Sequence, residues 1–190
     1  MAHKAIWLAT LLSLSAPLLA AHASASSTEY TIDPEQTVVS FEVKRLGLSR
    51  QSGEFSSVAG TVAMDAEAGL GSMEIAVDTR SVRADSETME TLLRGPGVLN
   101  VERYSEIAYK AQHMVFAGGK PERIEGELTL LGVTKPVTLT VENYSCSAQR
   151  CRLDATATFK RSEFGMNRYL SIVSDEVRLA IHGVAGATQQ

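Results

Sequence analysis

The chain has 190 residues, 44% hydrophobic and 21% charged, with a formal net charge of -4. That length fits one domain able to bury a core without metals or many disulfides. The acidic balance gives no global electrostatic reason to bind nucleic acid or an anionic membrane surface, and excludes both on net charge.

His3 and Lys4 open a short apolar run, Ile6 to Leu19, and Ala21-His22-Ala23 offers a small-x-small cleavage pattern. Residues 1–23 are therefore expected to be a cleavable export signal and residues 24–190 the mature domain. The run is short for a membrane span, which needs about 20 apolar residues.

Tyr30 and Ile32 alternate before Asp33-Pro34, a strand running into a turn. Val39, Phe41 and Val43 form the next inward row, and Lys44 to Gly53 loses the alternation, which predicts a loop or short helical turn. Val62 and Met64 mark a third strand; Met73, Ile75 and Val77 mark a fourth. Over Asp85 to Arg94 the period changes. Met89, Leu92 and Leu93 fall on one helical face, stopped by Gly95-Pro96-Gly97, so a short helix interrupts the strands as a lid, with Val98 and Leu99 prolonging its apolar surface.

Ile107, Tyr109 and Ala111 resume the alternation, whereas Met114 and Phe116 have the opposite parity, which predicts a bulge near Gln112. Leu128 and Leu130, then Val137, Leu139 and Val141, are the two arms of a hairpin turned at Gly132, with Pro136 opening the second arm. Cys146 and Cys151 follow, between two strand-like stretches. In an oxidising compartment such a pair predicts a disulfide across a hairpin loop; a redox dithiol or metal pair is the rival, and the C-x-x-C spacing is missing. Leu153, Ala155, Ala157 and Phe159 alternate, Arg161 to Ser171 is irregular, and Val177, Leu179 and Ile181 make the last strand. Its exposed edge offers a surface for pairing with a second copy.

Strands of this number and pattern close into a barrel or pack as a sandwich, and eight strands enclose a space that side chains fill or that holds one small ligand. Catalytic signatures are missing from the sequence. Beyond the export signal His113 and His182 are the remaining histidines, in no metal-binding spacing, and there is neither a G-x-S-x-G elbow nor a phosphate-cradling loop.

The run Leu128-Thr129-Leu130-Leu131-Gly132-Val133-Thr134-Lys135-Pro136-Val137, then Arg161-Ser162-Glu163-Phe164-Gly165-Met166 and Ser174-Asp175-Glu176-Val177, resembles the YceI-like family of exported bacterial proteins. Tyr30-Thr31-Ile32-Asp33-Pro34 and Phe41-Glu42-Val43 ahead of Leu46-Gly47 extend the resemblance over essentially the whole mature chain. It implies a mainly β, antiparallel lipocalin-like barrel of about eight strands, periplasmic and with no established reaction. The interior would hold a long isoprenoid, quinone-like or fatty amphiphile, with no further cofactor. Departures lie beside the helix. Arg45 stands where family members often carry histidine, and Met89-Glu90-Thr91-Leu92-Leu93 replaces an Arg-Asp-x-His-Leu pattern.

The ligand-facing residues expected on this basis are Phe41, Val43, Val62, Met64, Ile75, Val77, Ile107, Tyr109, Leu128, Leu130, Leu139, Val141, Phe159, Val177 and Leu179, with Met89, Leu92, Leu93, Phe164 and Met166 at the mouth. The function expected is a periplasmic carrier that sequesters the lipid, exchanging it with a membrane donor or acceptor protein. Two alternatives stand beside it: an enzyme acting on such a lipid through Tyr109, Asp85 or Glu90, and a solid β-domain whose outer face binds a membrane redox partner.

Overall fold

The computed structural model describes residues 27–65 and 68–188. The expected export signal lies outside them.

The strands are β1 (Thr28–Ile32), β2 (Val38–Arg45), β3 (Ser49–Phe55), β4 (Val58–Asp65), β5 (Leu70–Asp78) and β6 (Val82–Ala84), followed by the helix α1 (Glu87–Arg94). Then come β7 (Glu106–Ala117), β8 (Lys120–Leu130), β9 (Val133–Cys146), β10 (Arg150–Lys160) and β11 (Val173–Ala187). All pairings are antiparallel, in the order β1-β4-β5-β7-β8-β9-β10-β11, and β1 also pairs with β11, which closes a ring of eight strands. From β11 the sheet continues through β2 and β3 to β6.

β11 explains this branching. Its C-terminal residues Ala185–Ala187 pair with β1, and the stretch Val177–His182 pairs with β2, so two short strands share one long partner end to end. Thr37 fixes the junction: its hydroxyl donates to the Val184 carbonyl and accepts from the Val184 amide, both at 3.1 Å. Beyond β6 the sheet ends, and α1 packs there. Ser86 caps α1 by accepting from the Met89 amide, and Gly95 closes it with a bond to the Leu92 carbonyl.

Three expectations are corrected. Residues Ser49–Phe55 form a strand rather than a loop, paired with β2 from Val39↔Phe55 to Arg45↔Ser49. Its inward row is Gln51, Gly53 and Phe55, and Gly53 is small because the Phe41 ring crosses it; a Cβ at Gly53 would sit 2.5 Å from Phe41 Cζ. The apolar alternation is missing because the partner strand fills the space. Pro136 lies inside β9 rather than opening it. Its missing amide is tolerated because β10 pairs with β9 only over Thr140–Cys146, leaving Pro136 flanked by β8 alone. β11 is no free edge either, being paired with β10 on one side and with β1 and β2 on the other.

The bulge expected near Gln112 is present, as a register shift between Ala111 and His113. Cys146 and Cys151 stand directly opposite each other on β9 and β10 and are joined as a disulfide.

Candidate functional site

The inward rows of the ring, together with those of β2 and β3, enclose a cavity of about 450 Å³, within the roughly 300–1,000 Å³ of small-molecule sites. It runs from the end that carries α1, where Met89, Leu92 and Leu93 border it, to the end that carries the cysteine turn, where Tyr30, Tyr144 and Cys151 do. The barrel is hollow rather than solid.

Of the residues expected to face a ligand, Phe41, Val43, Val62, Met64, Ile75, Val77, Met89, Leu92, Leu93, Ile107, Tyr109, Leu128, Leu130, Leu139, Phe159, Met166, Val177 and Leu179 line this cavity. Val141 and Phe164 do not. Val141 packs against the core beside the register shift of β9 and β10, and Phe164 is buried to 1% exposure with its ring edge-on to Phe159, 5.2 Å between centroids. Val39, Phe55, Met73, Met114, Ile124 and Val137 belong to the wall without having been expected there, although inward parity marked most of them.

Polar side chains are a minority of the wall, and the sequence marked Tyr109 as ligand-facing, Tyr30 on an alternating strand and Arg45 beside the helix. In the barrel the Tyr109 hydroxyl lies 2.9 Å from the carbonyl oxygens of both Ile124 and Val137, so its single proton is shared within the wall. Burial, reinforced by the charge of Glu125, pushes its pKa far above the ordinary tyrosine value and keeps it neutral. Glu90, by contrast, is tied to Arg94 at 3.0 Å and accepts from the Ala84 amide, and neither it nor Asp85 borders the cavity. The three groups expected for acid–base work do not converge.

At the helix end Arg45, Gln51, Ser52, Arg168 and Tyr169 form the polar part of the border. The arm that carries Arg168 and Tyr169 hangs on Arg161, the one charged side chain buried among the described residues. Its N–H groups donate to four carbonyls: Nε to Ser174, Nη1 to Met166 and Arg168, and Nη2 to Val173, at 2.7 to 3.1 Å. Burial lowers its pKa and the neighbouring Asp175 opposes that, yet guanidinium stays charged in proteins. Asp175 latches the start of the arm, one oxygen accepting from the Ser162 amide at 2.8 Å and the other from its hydroxyl at 2.7 Å.

These bonds, helped by the charges of Arg161 and Lys160, hold the Asp175 pKa below its ordinary value. A lowered folded-state pKa adds stability that is complete above the unfolded value of about 3.9 and lost as pH falls through the folded one. Asp175→Asn is therefore expected to lower the melting temperature at neutral pH and to flatten its fall below about pH 4. Parallel acid limbs for variant and parent in a melting series would contradict this latch.

The histidines lie outside the site. His113 is exposed, and His182 is bonded through Nδ1 to Asp154 at 2.6 Å on the outer surface, a partner that the sequence did not reveal. No group of three or more His, Cys, Asp or Glu side chains suited to a metal occurs among the described residues.

A closed antiparallel barrel around one long apolar cavity, with a helix at its mouth, defines a lipocalin-like protein. Residues 30–185 match the model of the YceI-like domain, so the chain belongs to the YceI-like family. A UPF0312 protein of Pectobacterium atrosepticum is 32% identical over 95% of this chain and 98% of its own. Among solved structures, Burkholderia cenocepacia BcnA is similar with a TM-score of 0.72 at 23% identity, covering 80% of this chain and 98% of that one. A polyisoprenoid binding domain from Saccharophagus degradans is similar with a TM-score of 0.66 at 17% identity, covering 84% and 98%. At these identities the structures show the fold alone.

Proposed function

We propose that the protein is a periplasmic binding protein that encloses the apolar tail of one long-chain lipid, an isoprenoid or a similar amphiphile, and shields it from water. The observation that carries this reading is the cavity itself, about 450 Å³ of space that the protein's own side chains leave open along the barrel. A buried methylene contributes up to ~0.8 kcal/mol, so a tail of about fifteen carbons offers up to ~12 kcal/mol before ordering and immobilisation costs. Burial alone gives useful affinity. The charged side chains that border the cavity among the described residues, Arg152 beside the cysteine turn and Arg45, Arg161 and Arg168 at the helix end, belong to segments at its two ends, which suits a tail along the bore rather than a buried head group. The fold shared with the polyisoprenoid binding domain from Saccharophagus degradans supports the same ligand class.

Native mass spectrometry of protein purified from its own periplasm is expected to show a complex heavier than the bare chain. On denaturation it should release one intact lipid. Protein that arrives at its bare mass, and takes up no isoprenoid or fatty amphiphile afterwards, would refute the proposal.

A further inference from the structure

Six of the seven large hydrophobic side chains that stand exposed among the described residues, Leu46, Leu48, Leu92, Tyr169, Leu170 and Ile172, gather at the helix end of the barrel. They are contiguous. Leu92, Tyr169 and Ile172 border the cavity mouth, the Leu46 amide donates to the Ile172 carbonyl at 2.8 Å, and Leu48 closes the same turn with a bond to the Arg45 carbonyl. The turn is not built for its own sake. Leu46 has φ 50° ahead of Gly47 at 69°, a left-handed position that asparagine or glycine fills more easily than leucine. Leu48 is 94% exposed. Leucine at these two positions serves neither turn nor core.

Apart from α1, where Leu92 shares its helix with Glu87, Glu90 and Arg94, the charge around these residues runs against that of the chain. Segments 43–53 and 164–174, the two sides of the rim, hold Lys44, Arg45, Arg50 and Arg168 and no carboxylate, in a chain of net charge -4 whose remainder therefore carries -8. Glu42, just outside, offsets Arg50 at 3.2 Å, and Glu87 on α1 faces the groove beside Arg168. Arg45 and Arg168 have no carboxylate within ion-pair distance among the described residues. Arg168 is laid across Gly97, where a Cβ would fall 2.1 Å from its Cδ, and over the Tyr169 ring at 5.2 Å.

We propose that this rim is a docking surface for a bilayer containing anionic phospholipid. The leucines and Tyr169 enter the headgroup boundary, and Lys44, Arg45 and Arg168 meet phosphates. Apolar and cationic side chains interleaved around an opening fit a leaflet better than a protein partner, because lipid seals the mouth and is continuous with what the bore holds. The net charge excluded a membrane surface; the distribution of charge restores it at one end. The inference rests on the lipid-cargo reading for its purpose, and its test does not depend on cargo.

Flotation of the mature chain with vesicles of phosphatidylcholine alone, and with about one-third phosphatidylglycerol, measures docking directly. The mixed vesicles are expected to bind at least about tenfold more protein, with the difference shrinking as added salt shortens the Debye length below ~8 Å. Leu48→Ser, at a position too exposed to matter for folding, and Arg45→Gln/Arg168→Gln are each expected to lower binding about tenfold at unchanged melting temperature. Equal, salt-insensitive binding to both vesicles, variants that float like the parent, or a dimer that Leu48→Ser dissociates without any vesicle binding would each overturn the proposal. Native mass of the same samples reads the cargo separately. Lipid-free protein that floats keeps the docking surface and removes the cargo, and lipid-laden protein that stays down does the reverse.

Discussion

Leu139→Trp is expected to abolish lipid uptake while leaving the barrel folded. Leu139 stands on the cavity wall midway along β9, between the turn that follows Leu130 and the disulfide at Cys146. An indole there projects into open space, so the usual overpacking cost of about 1–3 kcal/mol falls toward its lower limit. The tail, however, must pass that point to lie along the bore. The amount of lipid retained per protein should fall at least about tenfold, on the reasoning that lost methylene contacts each remove up to ~0.8 kcal/mol. Thr138→Trp, one residue away on the exposed outer face, is the matched control and should retain lipid like the parent. Extraction of both proteins under the same conditions decides it. If Leu139→Trp remains fully loaded, the ligand does not occupy the bore.

The contrast between these two neighbouring positions shows what was legible in the sequence. Period-two alternation places Thr138 outside and Leu139 inside without any structure, and the same parity put most of the cavity wall on the correct face. The bulge after Ala111 was also visible, because Tyr109 and Met114 cannot share a face in a regular strand. Parity says nothing about depth, however. Val141 follows the inward rule yet packs into the core beside a register shift, and Phe164 belongs to a short turn whose position depends on Phe159 across from it. Strand β3 was invisible for a related reason: its inward row is completed by the Phe41 ring over Gly53, so the apolar signal sits on β2.

The rim was least legible. Its order comes from side chains bonded to backbone carbonyls and from turns between segments far apart in the chain, and neither leaves a periodic trace. The arm from Arg161 to Ser171 was correctly expected to be irregular, but irregular backbone still needs partners for its carbonyls. Here a single buried cation supplies them. That gives the mouth a defined shape without regular secondary structure, and makes this shape depend on one residue.

Arg161→Lys is accordingly expected to be the most destabilising conservative change in the protein. Lysine keeps the charge but replaces a planar fork by one ammonium, which can reach two or three of the four carbonyls now served and cannot match their spread. Hydrogen bonds to charged groups contribute about 1.5–3 kcal/mol each, and a buried acceptor left without a donor adds to the loss, so a cost of about 3 kcal/mol follows for the variant. The damage should be local first. Limited proteolysis ought to cut Arg161→Lys between Gly165 and Val173 under conditions in which the parent resists, and denaturant unfolding should give the lower midpoint at an unchanged slope. Ser162→Ala, which keeps the amide bond to Asp175 and loses only the hydroxyl bond, should cost about 1 kcal/mol. An Arg161→Lys protein with the parent's midpoint and protease resistance would mean that the arm holds its shape by packing alone, with Met166 and Phe164 as its anchors.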